Sequence, residues 1–180
     1  MSNLSPSSYI VLGFIQRFGA MTSYDLKQWA DGSVGYFWNF SRAQLYKEPA
    51  RLKKLQLLRE SQESSGRRRR LYEITEEGKY ALNVWLKGPS AALTELRDIG
   101  LLKLYFADLI EGKDLCRLAQ EQIGHRRERL KEYQSIQMNL EQDPDWQHFL
   151  DTVEMGIRYE TTAMEFWQHI LDREMRAASK

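Results

Sequence analysis

GRRRRLYEITEEGKYAL, residues 66–82, sets four consecutive arginines ahead of a short alternating run and a helix-like segment. Tyr72 and Ile74 alternate with Leu71 and Glu73, the period of a half-buried strand. Thr75, followed by Glu76 and Glu77, has the form of a helix N-terminus: a side-chain acceptor, then acids that suit the helix dipole. Just upstream, LLRESQE (57–63) is a second strand-like piece. Ser64, Ser65 and Gly66 supply the turn between the two, with the arginines on its far limb. Taken alone, such a charge run fits a solvated surface as well as a polyanion contact. Its neighbours decide.

Ser41 stands as N-cap before RAQLYKEPARLKKLQ (42–56). At helical spacing Leu45, Pro49, Leu52 and Leu55 fall on one side of this segment. Ala43, Lys47, Ala50 and Lys54 fall on the other, with Tyr46 and Arg51 on its shoulders and Gln44 toward the packed side. Two shorter helices are expected before it. The first opens with Ser5 and Pro6 and stops at Gly19; the second is capped by Thr22 or Ser23 and stops at Asp31–Gly32. VGYFWNF (34–40) is an aromatic loop between the second and third helices. Helix, helix, helix, hairpin, helix is the plan of a winged helix-turn-helix, and the arginines then form its wing. A wing lies along a duplex backbone or enters a minor groove, where arginine is favoured.

Three pieces carry a resemblance to a known family: Tyr24-Asp25-Leu26, Ser41 with Leu45-Tyr46, and Tyr72-x-Ile74-Thr75-x-x-Gly78. Over roughly residues 5–88 the chain resembles the PadR family of transcriptional regulators. The remainder resembles, in helical layout, the C-terminal domain of the longer, virulence-activator-like members. The sequence departs from the family pattern at three positions. Pro49 stands where a core leucine is common, Gln56 where the third helix usually ends in glycine, and Arg68 where the wing often has proline. The resemblance implies a dimeric, sequence-specific DNA-binding regulator, more often a repressor than an activator. It also implies that some members bind aromatic molecules near the dimer interface, for which Trp85 is the best-placed wall.

Charge and length agree with a two-part chain. The 180 residues carry a net charge of only +1, but residues 1–88 hold 14 Lys and Arg against 8 Asp and Glu, while residues 89–180 hold 12 against 17. A basic first half beside an acidic second half expects the polyanion to meet the first half alone. Gly88-Pro89-Ser90 punctuates the change and is the expected domain boundary, giving domains 1–88 and 89–180. SAALTELRDIGLLKLYFADLI (90–110) is expected to form one helix with a broad buried side. A long helix follows, stepping through Leu115, Leu118, Ile123, Arg126, Leu130, Tyr133 and Leu140, and Asp143-Pro144 breaks it. The last helix steps through Phe149, Val153, Ile157, Glu160, Met164, Trp167 and Leu171. This coiled-coil-like pair has more apolar edge than one hairpin covers, so a homodimer is expected, against a monomeric bundle packed on the winged domain.

Other chemistries have little support in the sequence. His125, His148 and His169 lack ligand spacing, and Cys116 fits a buried small hydrophobe better than a redox-sensing thiol. There is no phosphate loop and no nucleophile motif, so no enzyme and no cofactor are expected. The absence of a signal-peptide pattern and of a long apolar run leads to the expectation of a cytoplasmic chain with no membrane contact. Most of the five tryptophans are expected in the core. Ser41, Arg42, Gln44, Tyr46 and Lys47 are the candidates for groove contacts. Lys54, Arg67, Arg68, Arg69 and Arg70 are the candidates for phosphate or the minor groove. The competing expectation is a helical adaptor whose winged domain binds a protein partner; RNA binding has less support, for want of an aromatic platform on a sheet.

Overall fold

The computed structural model describes residues 4–38, 40–62, 68–90, 94–140 and 144–179, with Arg42 described by its backbone only. The chain divides into two compact units, Met1–Ala92 and Leu93–Lys180.

In the first unit α1 (Pro6–Phe18) begins where expected, with Ser5 at the N-cap and Pro6 at the first helical position. It ends at Gly19, whose φ of 84° lies in the left-handed region that glycine enters without penalty. α2 (Ser23–Asp31) opens with a reciprocal cap. The Thr22 hydroxyl accepts from the Asp25 amide, and the Asp25 carboxylate accepts from the Thr22 amide. A single 3-10 turn (Val34–Tyr36) leads to α3 (Arg42–Lys54). β1 (Leu58–Gln62) and β2 (Arg70–Ile74) pair antiparallel from Leu58↔Ile74 to Gln62↔Arg70, and α4 (Glu76–Lys87) closes the unit. Tyr72 also exchanges both backbone hydrogen bonds with Met21, so the segment before α2 adds a one-residue third strand.

The core of this unit is Val11, Leu12 and Ile15 of α1 with Leu26, Ala30, Leu45, Leu52, Leu58, Tyr72 and Leu82. α1 touches α2, α3, α4 and β2 and is the hub of the unit. α3 ends in a Schellman turn: the Leu57 amide reaches the Leu52 carbonyl, and the Gln56 amide the Lys53 carbonyl. Gln56 occupies the left-handed position of that turn at φ 60°, where glycine is usual.

In the second unit α6 (Gly112–Leu140) and α7 (Gln147–Ala178) form an antiparallel pair. Its core gathers Leu115, Leu118, Ala119, Ile123, Trp167, Ile170 and Leu171. Gly156 marks a close crossing, since a Cβ there would stand 2.7 Å from the Tyr133 ring. The seam positions Arg126 and Glu160 are polar because they pair. Arg126 donates to Glu160 at 3.2 Å and to Asp98 at 2.5 Å, and all three side chains are largely buried.

The helix expected over 90–110 is much shorter. α5 covers only Ile99–Tyr105, followed by a single turn at Ala107–Leu109. Asp98 starts it by accepting the Leu101 amide hydrogen bond, and its other oxygen is held by Arg126, so residues 94–97 stay outside the helix. Leu96, Ile99 and Phe106, expected on a buried side, are exposed. The tryptophans also differ from expectation: Trp167 is buried, whereas Trp29, Trp38 and Trp85 are exposed and Trp146 is half-buried. Cys116 is half-buried at the edge of the second core, and all three histidines are exposed.

Candidate nucleic-acid interface

α3 has an inner row and an outer row. Leu45 and Leu52 are fully buried against α1 and α2, as is Pro49 between them. Ser41, Ala43, Gln44, Tyr46, Lys47, Ala50 and Lys54 are exposed. Gln44, expected toward the packed side, is exposed and belongs to the outer row. Ser41 occupies the N-cap position, but its side chain makes no capping hydrogen bond, which leaves the hydroxyl available to a ligand. Lys47 and Lys54 pair with no carboxylate among the described residues. Lys53 does, with Glu60 on β1 at 3.3 Å. The outer face is thus small, polar and cationic.

The hairpin stands beside the C-terminal end of α3, joined to it by the Schellman turn. Arg59 and Glu73, a cross-strand pair, hold each other in an ion pair. At the base of the wing Tyr72 stands opposite Glu60 in the antiparallel ladder, two residues along β2 from Arg70. Burial, followed by the Glu60 charge, pushes the Tyr72 pKa up. Arg68, Arg69 and Arg70 are exposed. Arg68 takes a left-handed backbone, φ 46°, and its carbonyl accepts from the Gln62 side chain at 3.0 Å, which folds the wing's descending limb. Arg67 lies outside the described residues, as does the side chain of Arg42.

Trp85 lies on the exposed side of α4 and stacks on Tyr9 of α1, ring centroids 4.4 Å apart and planes within 7°. One face of each ring is thereby covered by the other, and Trp85 remains about half exposed. No group of three metal-ligating side chains occurs among the described residues, and no helix among them is long and apolar enough to cross a membrane.

Periodicity did not reveal the polar cluster beneath the outer row. Glu48, midway along α3, is buried and accepts hydrogen bonds from Ser8 at 2.6 Å and from two nitrogens of Arg51 at 2.7 and 3.0 Å. Arg51, placed by the wheel on a shoulder of the outer face, keeps a side chain that is 41% exposed while its guanidinium pairs with Glu48 and Ser8. A Glu-x-x-Arg spacing is the one signal available in the sequence, and it is common on exposed helices.

Two family models match the chain: "Transcriptional regulator PadR-like family" over residues 11–84, and "Virulence activator alpha C-term" over residues 96–173. The chain therefore carries a PadR-like regulator domain followed by a virulence-activator C-terminal domain. Among curated proteins, this PadR-like chain is 25% identical over 155 residues to the negative transcriptional regulator PadR of Bacillus subtilis, covering 79% of this chain and 83% of the relative. The crystal structure of Bacillus subtilis PadR in complex with operator DNA superposes with a TM-score of 0.83 at 23% identity, covering 93% of this chain and 98% of the other. The same protein in complex with p-coumaric acid superposes with a TM-score of 0.76 at 22% identity, covering 93% and 97%. These likenesses bear out the fold: mainly helical, with a small two-stranded wing and a long C-terminal helix.

Proposed function

We propose that this PadR-like regulator is a homodimeric, ligand-responsive repressor that binds a pseudo-palindromic operator, with residues 1–88 on the DNA and residues 89–180 holding the two copies together. One observation carries the reading: the outer face of α3 is small, polar and cationic, and an arginine-bearing hairpin follows directly on it. In this reading α3 lies in the major groove. Arg42 and Gln44 read base edges, Tyr46 and Lys47 flank them, and Ser41 donates to a phosphate. Lys54 and Arg67 to Arg70 neutralise the backbone and set affinity rather than sequence choice. The chain acts by binding, with no catalytic side chain.

Dimerisation is supported by the apolar side chains that α6 and α7 leave exposed, including Met138, Met155, Tyr159, Phe166 and Met175. A two-fold pair of winged units suits half-sites one helical turn apart. The effector reading rests on Trp85 stacked on Tyr9, an aromatic surface open on one side, and on the relative solved with p-coumaric acid.

The test is fluorescence anisotropy of the purified chain against duplexes from its own upstream region and scrambled controls, over a series of salt concentrations. Preference for one duplex, saturation at two chains per duplex and a steep salt slope are the expected results; equal and shallow binding to all would overturn the reading. Arg68→Ala with Arg69→Ala should weaken every duplex alike and reduce the slope by about one per lost phosphate contact. Selective loss on the preferred duplex would place base reading in the wing instead. Trp85→Ala should bind the operator normally and fail to release it when p-coumaric acid is added.

A further inference from the structure

We infer that the buried Ser8–Glu48–Arg51 cluster sets the rotation at which α3 presents its outer face, making Ser8 and Glu48 positioning residues for sequence discrimination. The inference rests on the DNA-binding role proposed above.

A carboxylate buried in the middle of an interface helix is costly unless it is fully paired, and Glu48 is fully paired. Its Oε1 accepts from the Ser8 hydroxyl at 2.6 Å and from Arg51 Nη2 at 2.7 Å, and its Oε2 accepts from Arg51 Nε at 3.0 Å. Ser8 is fully buried in the first turn of α1. Its oxygen also accepts from Arg51 Nη2 at 2.9 Å and from the Ser5 amide at 3.0 Å. One hydroxyl therefore joins the N-terminal cap of the hub helix to the centre of α3, 40 residues away in sequence.

The position of this tether matters because of what adjoins it. Pro49 has no N–H to give the Leu45 carbonyl, so α3 lacks one internal hydrogen bond at the turn that Glu48 occupies. Leu45 and Leu52 hold α3 against its neighbours, but apolar contact is non-directional and fixes separation better than rotation about the helix axis. Hydrogen bonds are directional, and their donor angles weaken steeply off line. The rotation of the outer row, which decides where Gln44, Tyr46 and Lys47 point, is thus set by the cluster. A site tolerates roughly 10–20° of misalignment before specific contacts are lost, whereas contacts to phosphate are more forgiving. Arg51, bonded to both Glu48 and Ser8, keeps the register of the cluster.

Ser8→Ala, Glu48→Ala and Glu48→Gln test this in the full chain. The wild-type chain first selects its preferred duplex from a random pool on the order of 30 base pairs long, room for two half-sites. Each variant is then measured on that duplex and on its shuffled counterpart. Glu48→Ala and Ser8→Ala should each lower the ratio between the two duplexes by roughly tenfold, the worth of one misplaced base contact. Affinity for the shuffled duplex and its salt slope should stay within about twofold of wild type. Glu48→Gln, whose one oxygen still accepts from Ser8 and from Arg51 Nη2 while the bond from Arg51 Nε is lost, should keep most of the ratio.

Amide hydrogen exchange, which needs no DNA, should show faster exchange over residues 42–47 in the two alanine variants, with β2 unchanged. An unchanged ratio with unchanged exchange, or equal loss on both duplexes, would overturn the inference. Should Glu48→Ala fail to fold, Ser8→Ala carries the same test from a helix outside the interface. A wild-type chain that selects no sequence would overturn the DNA-binding role and the discriminating role with it. The exchange data still tell that failure apart from failure of the cluster to hold α3.

Discussion

Gln56 shows how one residue can be placed by its neighbours against its own preference. The Schellman turn after α3 needs a left-handed residue, and Thr75 reinforces it by donating its hydroxyl to the Gln56 carbonyl at 2.8 Å. A side chain in that conformation costs about 1–2 kcal/mol, partly offset because glycine loses more freedom on folding. Gln56→Gly should stabilise the first unit by about 1 kcal/mol in urea titration; a loss of stability would mean that the glutamine side chain contributes contacts of its own. Gly78 is the opposite case. A Cβ there would stand 2.2 Å from the Leu57 carbonyl, so Gly78→Ala must push α4 away from the turn that leads into β1 and destabilise the unit.

Glu48 has a consequence for pH. Burial alone raises its pKa, but the hydrogen bonds from Arg51 and Ser8, with the Arg51 charge, outweigh that and hold the carboxyl below its usual range. The unfolded chain therefore binds the proton more readily. The stabilisation is complete above the ordinary glutamate value of about 4.3 and is lost as pH falls through the lowered folded value. Urea midpoints taken from neutral pH down to about pH 3 should show wild type losing its advantage over Glu48→Gln in that acidic window. A constant gap between the two would mean that the carboxylate is not favoured in the fold.

Among the elements, α5 was the one whose extent the sequence misstated. LLKLY and the residues around it carry the right periodicity, but the helix starts only where Asp98 can serve both as cap and as partner of Arg126. That second role depends on α6 and on Glu160 of α7. Arg126 is buried among these two carboxylates, its Nε has no hydrogen-bond partner among the described residues, and the Tyr159 ring centroid lies 5.7 Å from the guanidinium. Removing the cation leaves two largely buried acids facing each other without a counter-charge. Arg126→Ala should cost about 3–5 kcal/mol in denaturant unfolding followed on the second unit. A much smaller loss would show that water reaches the seam. The other elements were legible because their signals are local: Pro6 and Gly19 bound α1, Thr22 caps α2, and Thr75 caps α4 through the Gly78 amide.

At the scale of the whole molecule, the candidate interface divides in the same way. The arginine run, the outer row of α3 and the charge asymmetry between halves were readable because each lies in a contiguous or helically spaced stretch. If the exposed apolar side chains of α6 and α7 meet in a dimer, the unfolding midpoint should rise with protein concentration. Light scattering should then report two chains per particle. A concentration-independent midpoint and a single-chain mass would remove the dimer.

The sequence by itself determined the order of elements, the winged plan, the caps and stops, and which half of the chain is basic. All of these follow from residues within a few positions of one another. Only the tertiary structure decided that Glu48 is buried against Ser8 and paired with Arg51, that Met21 pairs with Tyr72, that Asp98 reaches Arg126, and that three of the tryptophans are exposed. Each of those outcomes depends on what a distant segment brings to the same place, and the fate of a polar or aromatic side chain is set by that partner.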